Sequence, residues 1–142
     1  MKTIIAEKYF SPMNLTVGAI GGMVVNLLGG WDLLLQTIIL LIIIDYVSGF
    51  LKGIYEKQLS STMGYQGIVK KIMILLVIAL AYAIEQMLQT EIPIRKITIS
   101  LFIGNESLSI LENATACGLP IPKVLKDLLI QVKKQYEEDE WS

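Results

Sequence analysis

Residues 33–51 read LLLQTIILLIIIDYVSGFL, with Asp45 as the only charge in nineteen positions. As a helix this stretch extends about 28 Å, close to the roughly 30 Å hydrocarbon core of a bilayer. Its apolar residues occupy the whole helical wheel, so no polar face is left to meet water. A soluble alternative would make residues 38–44 a buried parallel strand and residues 72–83 a buried core helix. That fold needs polar faces elsewhere to cover these segments, and the sequence is poor in them. The stretch therefore reads as a membrane crossing.

Working outward, residues 15–30, LTVGAIGGMVVNLLGG, are uncharged but rich in glycine. They give a first span of about 15–31, ahead of the second at 33–51. Residues 72–88, IMILLVIALAYAIEQML, are uncharged until Glu85 and form the third. Residues 97–117, ITISLFIGNESLSILENATAC, lack Lys and Arg but carry Glu106 and Glu112, so hydropathy alone does not decide whether this fourth segment crosses. The expected fold is all-α and multi-pass, a single unit over 1–142 with four transmembrane helices. Three crossings are the alternative.

Composition agrees: of 142 residues, 54% are hydrophobic and 18% charged, against about 25% charged in an ordinary soluble domain. The net charge of −1 advertises no nucleic-acid partner. With no His and one cysteine, Cys117, the chain offers no imidazole metal site, His-based triad or intrachain disulfide. No catalytic residue, metal or cofactor is expected, and the chain reads as a non-enzyme.

Charge placement sets the topology. Lys2 and Lys8 precede the first span, Lys52, Lys57, Lys70 and Lys71 fall in an expected basic loop at 52–71, and Lys123, Lys126, Lys133 and Lys134 follow the fourth segment. These are ten of the twelve basic residues, and only Arg95 and Lys96 fall between segments three and four. Four crossings with both termini cytoplasmic fit the positive-inside rule; with three, the C-terminal lysines would sit outside. Residues 7–11 separate the basic start from the apolar region and no small-residue cleavage site follows, so no cleaved leader is expected. Met13 is read as an ordinary internal methionine. Three glycosylation sequons, at Asn14, Asn105 and Asn113, lie in or against spans and are read as chance matches.

Three sets of residues stand out as candidates. Gly18, Gly22, Asn26 and Gly30 recur every four residues and predict a small-residue stripe for helix packing. Asp45 and Glu85 are intramembrane charges that need water, a partner or a proton. For Asp45 the favoured reading is a headgroup-zone residue contacting Lys70 or Lys71; the other is a structural anchor or gate charge. In the fourth segment Thr98, Asn105, Glu106, Ser109, Glu112 and Asn113 fall between about 60° and 180° on a wheel stepped at 100° from Ile97. Such a stripe lines an aqueous lumen, faces neighbouring subunits or lies flat at the membrane interface, and the absence of Lys and Arg favours the first two. After Gly118 the turn Leu119-Pro120-Ile121-Pro122 stops the helix. A short cytoplasmic amphipathic helix and an acidic tail are expected over 119–142.

The order Gly29-Gly30-Trp31-Asp32, then Asp45-Tyr46-Val47-Ser48-Gly49, then KQLSSTMGYQGIVKK at 57–71, then NESLSILENATACGLPIP at 105–122 resembles the toxin-secretion and phage-lysis holin family. The similarity covers roughly positions 15–130. It implies a small protein of the bacterial cytoplasmic (inner) membrane, a homo-oligomer in lipid that opens large lesions. An endolysin or secreted toxin is the functional partner it implies, and the resemblance leaves room for an antiholin as a regulatory partner without requiring one. A small ion channel or transporter using Asp45 or Glu85 is the competing reading, and a membrane adaptor without permeability is a third.

Overall fold

The computed structural model describes residues 12–139, and within them the chain forms five helices and no strand. They are α1 (Pro12–Leu27), α2 (Leu33–Tyr55), α3 (Ser61–Leu88), α4 (Ile94–Ala116) and α5 (Lys123–Asp139). Two helices are long and apolar enough to cross a membrane, over Leu33–Tyr55 and Gly64–Leu88, while Met13–Leu27 is apolar but shorter. Only 17% and 22% of the two long apolar stretches are buried, which is not how a soluble protein treats its core helices. Leu40, Ile43, Leu51, Leu76 and Leu80 all point outward, where hydrocarbon rather than water is the compatible solvent. The chain is all-helical as expected, and two of the four expected crossings meet the test of length and composition.

α4 is the hub, packing on α2, α3 and α5. A thin apolar core of Leu28, Leu35, Ile38, Ile74, Ile78 and Ile99 joins the α1–α2 turn to α2, α3 and α4. α1 contributes almost nothing to this core, its side chains being exposed along nearly its whole length.

Helix boundaries follow from local chemistry. α1 stops at Leu27, short of residue 31, because Gly29 and Gly30 adopt φ values of +86° and +98°. There Gly30 N–H bonds Val25 C=O at 2.9 Å and Gly29 N–H bonds Asn26 C=O at 3.0 Å, a Schellman stop. Gly30 thus lies in the turn, off the helical face expected to carry it with Gly18, Gly22 and Asn26. Asp32 then caps α2, its carboxylate accepting the Leu35 N–H at 2.9 Å. α4 ends on a second Schellman stop at Gly118, φ +85°, where Leu119 N–H bonds Ala114 C=O at 3.1 Å.

The expected basic loop at 52–71 is mostly helical. α2 runs on to Tyr55 and α3 begins at Ser61, so the link is 56–60 and the third segment starts well before residue 72. Charge was the signal for a loop, but lysine is a good helix former, and the charge of Lys71 is neutralised by partners on other helices. Lys2 and Lys8 lie outside the described residues, as does the end of the acidic tail.

Candidate functional site

Asp45 lies midway along α2, at a level where a lone carboxylate in hydrocarbon is costly. It is buried, as are Lys71 on α3 and Glu106 on α4. Lys71 Nζ donates to Asp45 Oδ2 and to Glu106 Oε2, so one ammonium joins carboxylates from two other helices. Asn113 extends the cluster: its amide donates to Ser48 Oγ at 3.0 Å and to Asp45 Oδ1 at 3.4 Å. The Ser48 hydroxyl donates in turn to the Asp45 carbonyl at 3.0 Å. Among the described residues no buried side-chain nitrogen or oxygen is left without a partner. Charge-assisted bonds of this kind are strong in a low dielectric, and losing one member leaves the others uncompensated.

The second polar centre sits where the α1–α2 and α3–α4 connections meet. Arg95, in the first turn of α4, sends Nη1 to Asp32 Oδ2 at 2.6 Å and Nη2 to Asp32 Oδ1 at 3.3 Å. Its Nε donates to the Leu28 carbonyl at 2.5 Å, and Nη2 also reaches the Gly30 carbonyl at 3.3 Å. The guanidinium therefore satisfies carbonyls at the end of α1 and the cap of α2 together, which the planar fork of arginine suits. A Cβ on Gly29 would lie 2.5 Å from Arg95 Nε and 2.9 Å from the Tyr82 ring, so the turn admits no side chain there. Glu85, on the last turns of α3, accepts the Arg95 backbone N–H at 2.8 Å. Pro93 supplies no side-chain cap to α4, and Glu85 fills that role from the neighbouring helix. The hydrogen bonds from Arg95 hold the Asp32 carboxyl below its ordinary range; partial burial opposes this and the Leu35 N–H bond adds to it.

The polar stripe of α4 divides between two surroundings. Its edge near 160–180° on the wheel, Glu106 and Asn113, turns inward to the ionic cluster. Its other edge, Asn105, Ser109 and Glu112, lines a groove of about 540 Å³ between α3 and α4, with Lys70 on the opposite wall and Glu106 also lining it. Thr98 bonds within its own helix, to the Ile94 carbonyl at 2.8 Å. Of the expected packing stripe, Gly18 and Gly22 have nothing within 4 Å of where a Cβ would stand, and Asn26 is exposed. Asp45 meets Lys71, whereas Glu85 is a helix cap at one end of the bundle rather than an isolated charge within it.

Sequence reasoning named Lys71 only as one of two lysines for Asp45 to contact, and passed over its bond to Glu106 and the Arg95–Asp32 pair. The available signal was stoichiometric: Asp45 and Glu106 in apolar helices call for a cation, and Lys71 stands directly before an apolar run. Arg95 gave a similar hint, as a cation on the side otherwise poor in positive charge. Among the described residues no group of His, Cys, Asp and Glu is arranged to hold a metal.

Comparison with known proteins assigns this architecture to a family. A profile described as the bacteriophage holin family matches residues 22–134. An uncharacterized protein of Listeria monocytogenes is 42% identical over 123 residues, covering 87% of this chain and 86% of that protein. An uncharacterized 14.9 kDa protein of Clostridium perfringens is 37% identical over 118 residues, covering 82% and 89%. A protein of Bacillus phage phi105 named as a probable holin is 32% identical over 104 residues, covering 73% and 77%. No solved structure matches. With most of its length matched by the profile and by these relatives, the chain belongs to the bacteriophage holin family, a membrane protein with a holin-type role.

Proposed function

We propose that this chain accumulates in the bacterial cytoplasmic membrane and, at a threshold density, opens lesions wide enough for a folded endolysin or toxin to leave the cell. The family match supports the lesion-forming role. The observation that carries the mechanism is the division of α4, with Glu106 turned onto Lys71 and Asn105, Ser109 and Glu112 left in an open groove. A helix bearing that much polar surface beside two apolar spans is stable in lipid only while its polar groups are paired or covered. Before the lesion the cluster and neighbouring subunits cover them. After it, the same surface turns to water and lines the edge of the hole.

Four crossings with both termini cytoplasmic suit this arrangement. Arg95 brings the α1–α2 and α3–α4 connections to one end of the bundle, and its charge there is matched by Asp32. Lys52, Lys57, Lys123 and Lys126 then belong to the other, cytoplasmic end. A channel reading needs a carboxylate facing a water path, whereas Asp45 is held by Lys71 and Asn113 and Glu85 caps α4.

Purified chain in lipid vesicles loaded with both a small dye and a folded protein tests the proposal. Above a threshold protein-to-lipid ratio, dye and folded protein are expected to escape together. Release of dye alone at every ratio would replace the lesion with a channel.

A further inference from the structure

The groove between α3 and α4 carries unused polar chemistry. Lys70 on one wall and Asn105, Ser109 and Glu112 on the other all line it, and Val77 and Phe102 supply apolar lining. Lys70 and Glu112 are exposed and form no ion pair among the described residues, and the Asn105 and Ser109 side chains make no hydrogen bond there. The groove is not peripheral, because Glu106, at the middle of α4 and bonded to Lys71, also lines it. Hydrocarbon against such a surface would leave a cation, a carboxylate, an amide and a hydroxyl without partners.

The geometry points to this groove as the contact surface for a second copy of the chain, related by a two-fold axis along the membrane normal, with Lys70 of each copy facing Glu112 of the other. The inference rests on the membrane reading above. A two-fold contact is self-complementary, so one surface carrying both a free cation and a free anion satisfies both charges twice. An axis along the normal keeps the termini of both copies on one side. Lys71 and Glu106 are bonded and so mark a common level of α3 and α4; from it Lys70 lies about 1.5 Å and Glu112 about 9 Å further toward the start of α3, an offset of about 7 Å that a flexible lysine stem bridges. Asn105 and Ser109 stand on the same α4 wall as Glu112, so the two-fold sets them too against α3 of the other copy, beside its Lys70. Interhelical hydrogen bonds to polar side chains are a known source of association in lipid.

The test uses the full chain in its membrane, with Cys117→Ala as background. Two differently tagged copies, one Lys70→Cys and one Glu112→Cys, are co-expressed and treated with a short bis-maleimide. A mixed-tag dimer is expected; cysteines that react with a water-soluble maleimide without forming that dimer would show the groove open to water and overturn the inference. Charge reversal supplies the second arm, read as dimer yield by energy transfer between tagged copies. Lys70→Glu or Glu112→Lys alone is expected to lower the yield about tenfold, because each reversal places like charges together at both symmetry-related positions. The Lys70→Glu/Glu112→Lys double variant is expected to return to within about twofold of the parent. Unchanged yield in the single reversals, or no recovery in the double, overturns the interface. Release of a folded reporter is followed in the same cells. Release with an unaltered dimer pattern leaves the lesion reading standing without this interface, and the expected dimer pattern without release leaves the interface standing without the lesion.

Discussion

Replacing Lys71 with Met removes the one cation shared by Asp45 and Glu106 while keeping the length and apolar stem of the side chain. The three side chains are 10%, 11% and 2% exposed, so water cannot take over as their partner. Breaking a buried ion pair by removing one member costs about 3–5 kcal/mol. Asp45 keeps the Asn113 amide, but Glu106 keeps no other side-chain hydrogen bond, which places the expected loss for Lys71→Met at about 4 kcal/mol. A triple variant, Asp45→Asn/Lys71→Met/Glu106→Leu, removes all three charges and leaves an amide oxygen to accept from Asn113. Uncharged replacement of a whole buried cluster is often neutral or stabilising, so the triple is expected to lie within about 2 kcal/mol of the parent. Denaturant or SDS titration in detergent, read by helical circular dichroism, gives both values. A Lys71→Met variant within about 1 kcal/mol of the parent, or a triple no more stable than the single, would refute the reasoning.

Other expectations concern the turns. Asp32 has a lowered folded-state pKa, so its contribution is fully present above the ordinary carboxylate range near pH 4 and fades as pH falls through the lowered value. Asp32→Asn, which keeps the helix cap, should flatten the decline of melting temperature below about pH 4. Gly29→Ala meets both a φ of +86° and the Arg95 side chain, and a thermal melt should register a loss of at least about 1–2 kcal/mol. Lys57 holds φ +55° at the end of α2, where Gln58 N–H bonds Gly53 C=O at 3.0 Å. Lys57→Gly should therefore gain up to about 1 kcal/mol in the same measurement.

Much of the fold was legible because charge-free runs mark helices that water will not accept. The 33–51 stretch became α2, and the Gly29-Gly30-Trp31-Asp32 turn fell where its residue types demand a stop and a cap. The α4 stripe was legible too, since a 100° step places Glu106 and Glu112 on one side of the helix. Which edge turns inward was not, because that depends on Lys71, 35 residues away from Glu106 and 26 from Asp45. A contact of Asp45 with Lys70 or Lys71 was anticipated from charge, but local patterning carries no record of the bond from Lys71 to Glu106, and charge taken as a loop signal hid Lys71 inside α3. Arg95 escaped for the same reason, its Asp32 partner being 63 residues distant. The four-residue spacing from Asn26 to Gly30 suggested a continuous stripe, but the left-handed turn at Gly29 ends the helix first.

The most direct measurement of the central claim is induced expression in a bacterium carrying a folded cytoplasmic reporter, with membrane potential and reporter release followed together. A silent interval is expected, then an abrupt collapse of potential coinciding with release of the folded reporter. Immediate, graded depolarisation with the reporter retained would contradict it.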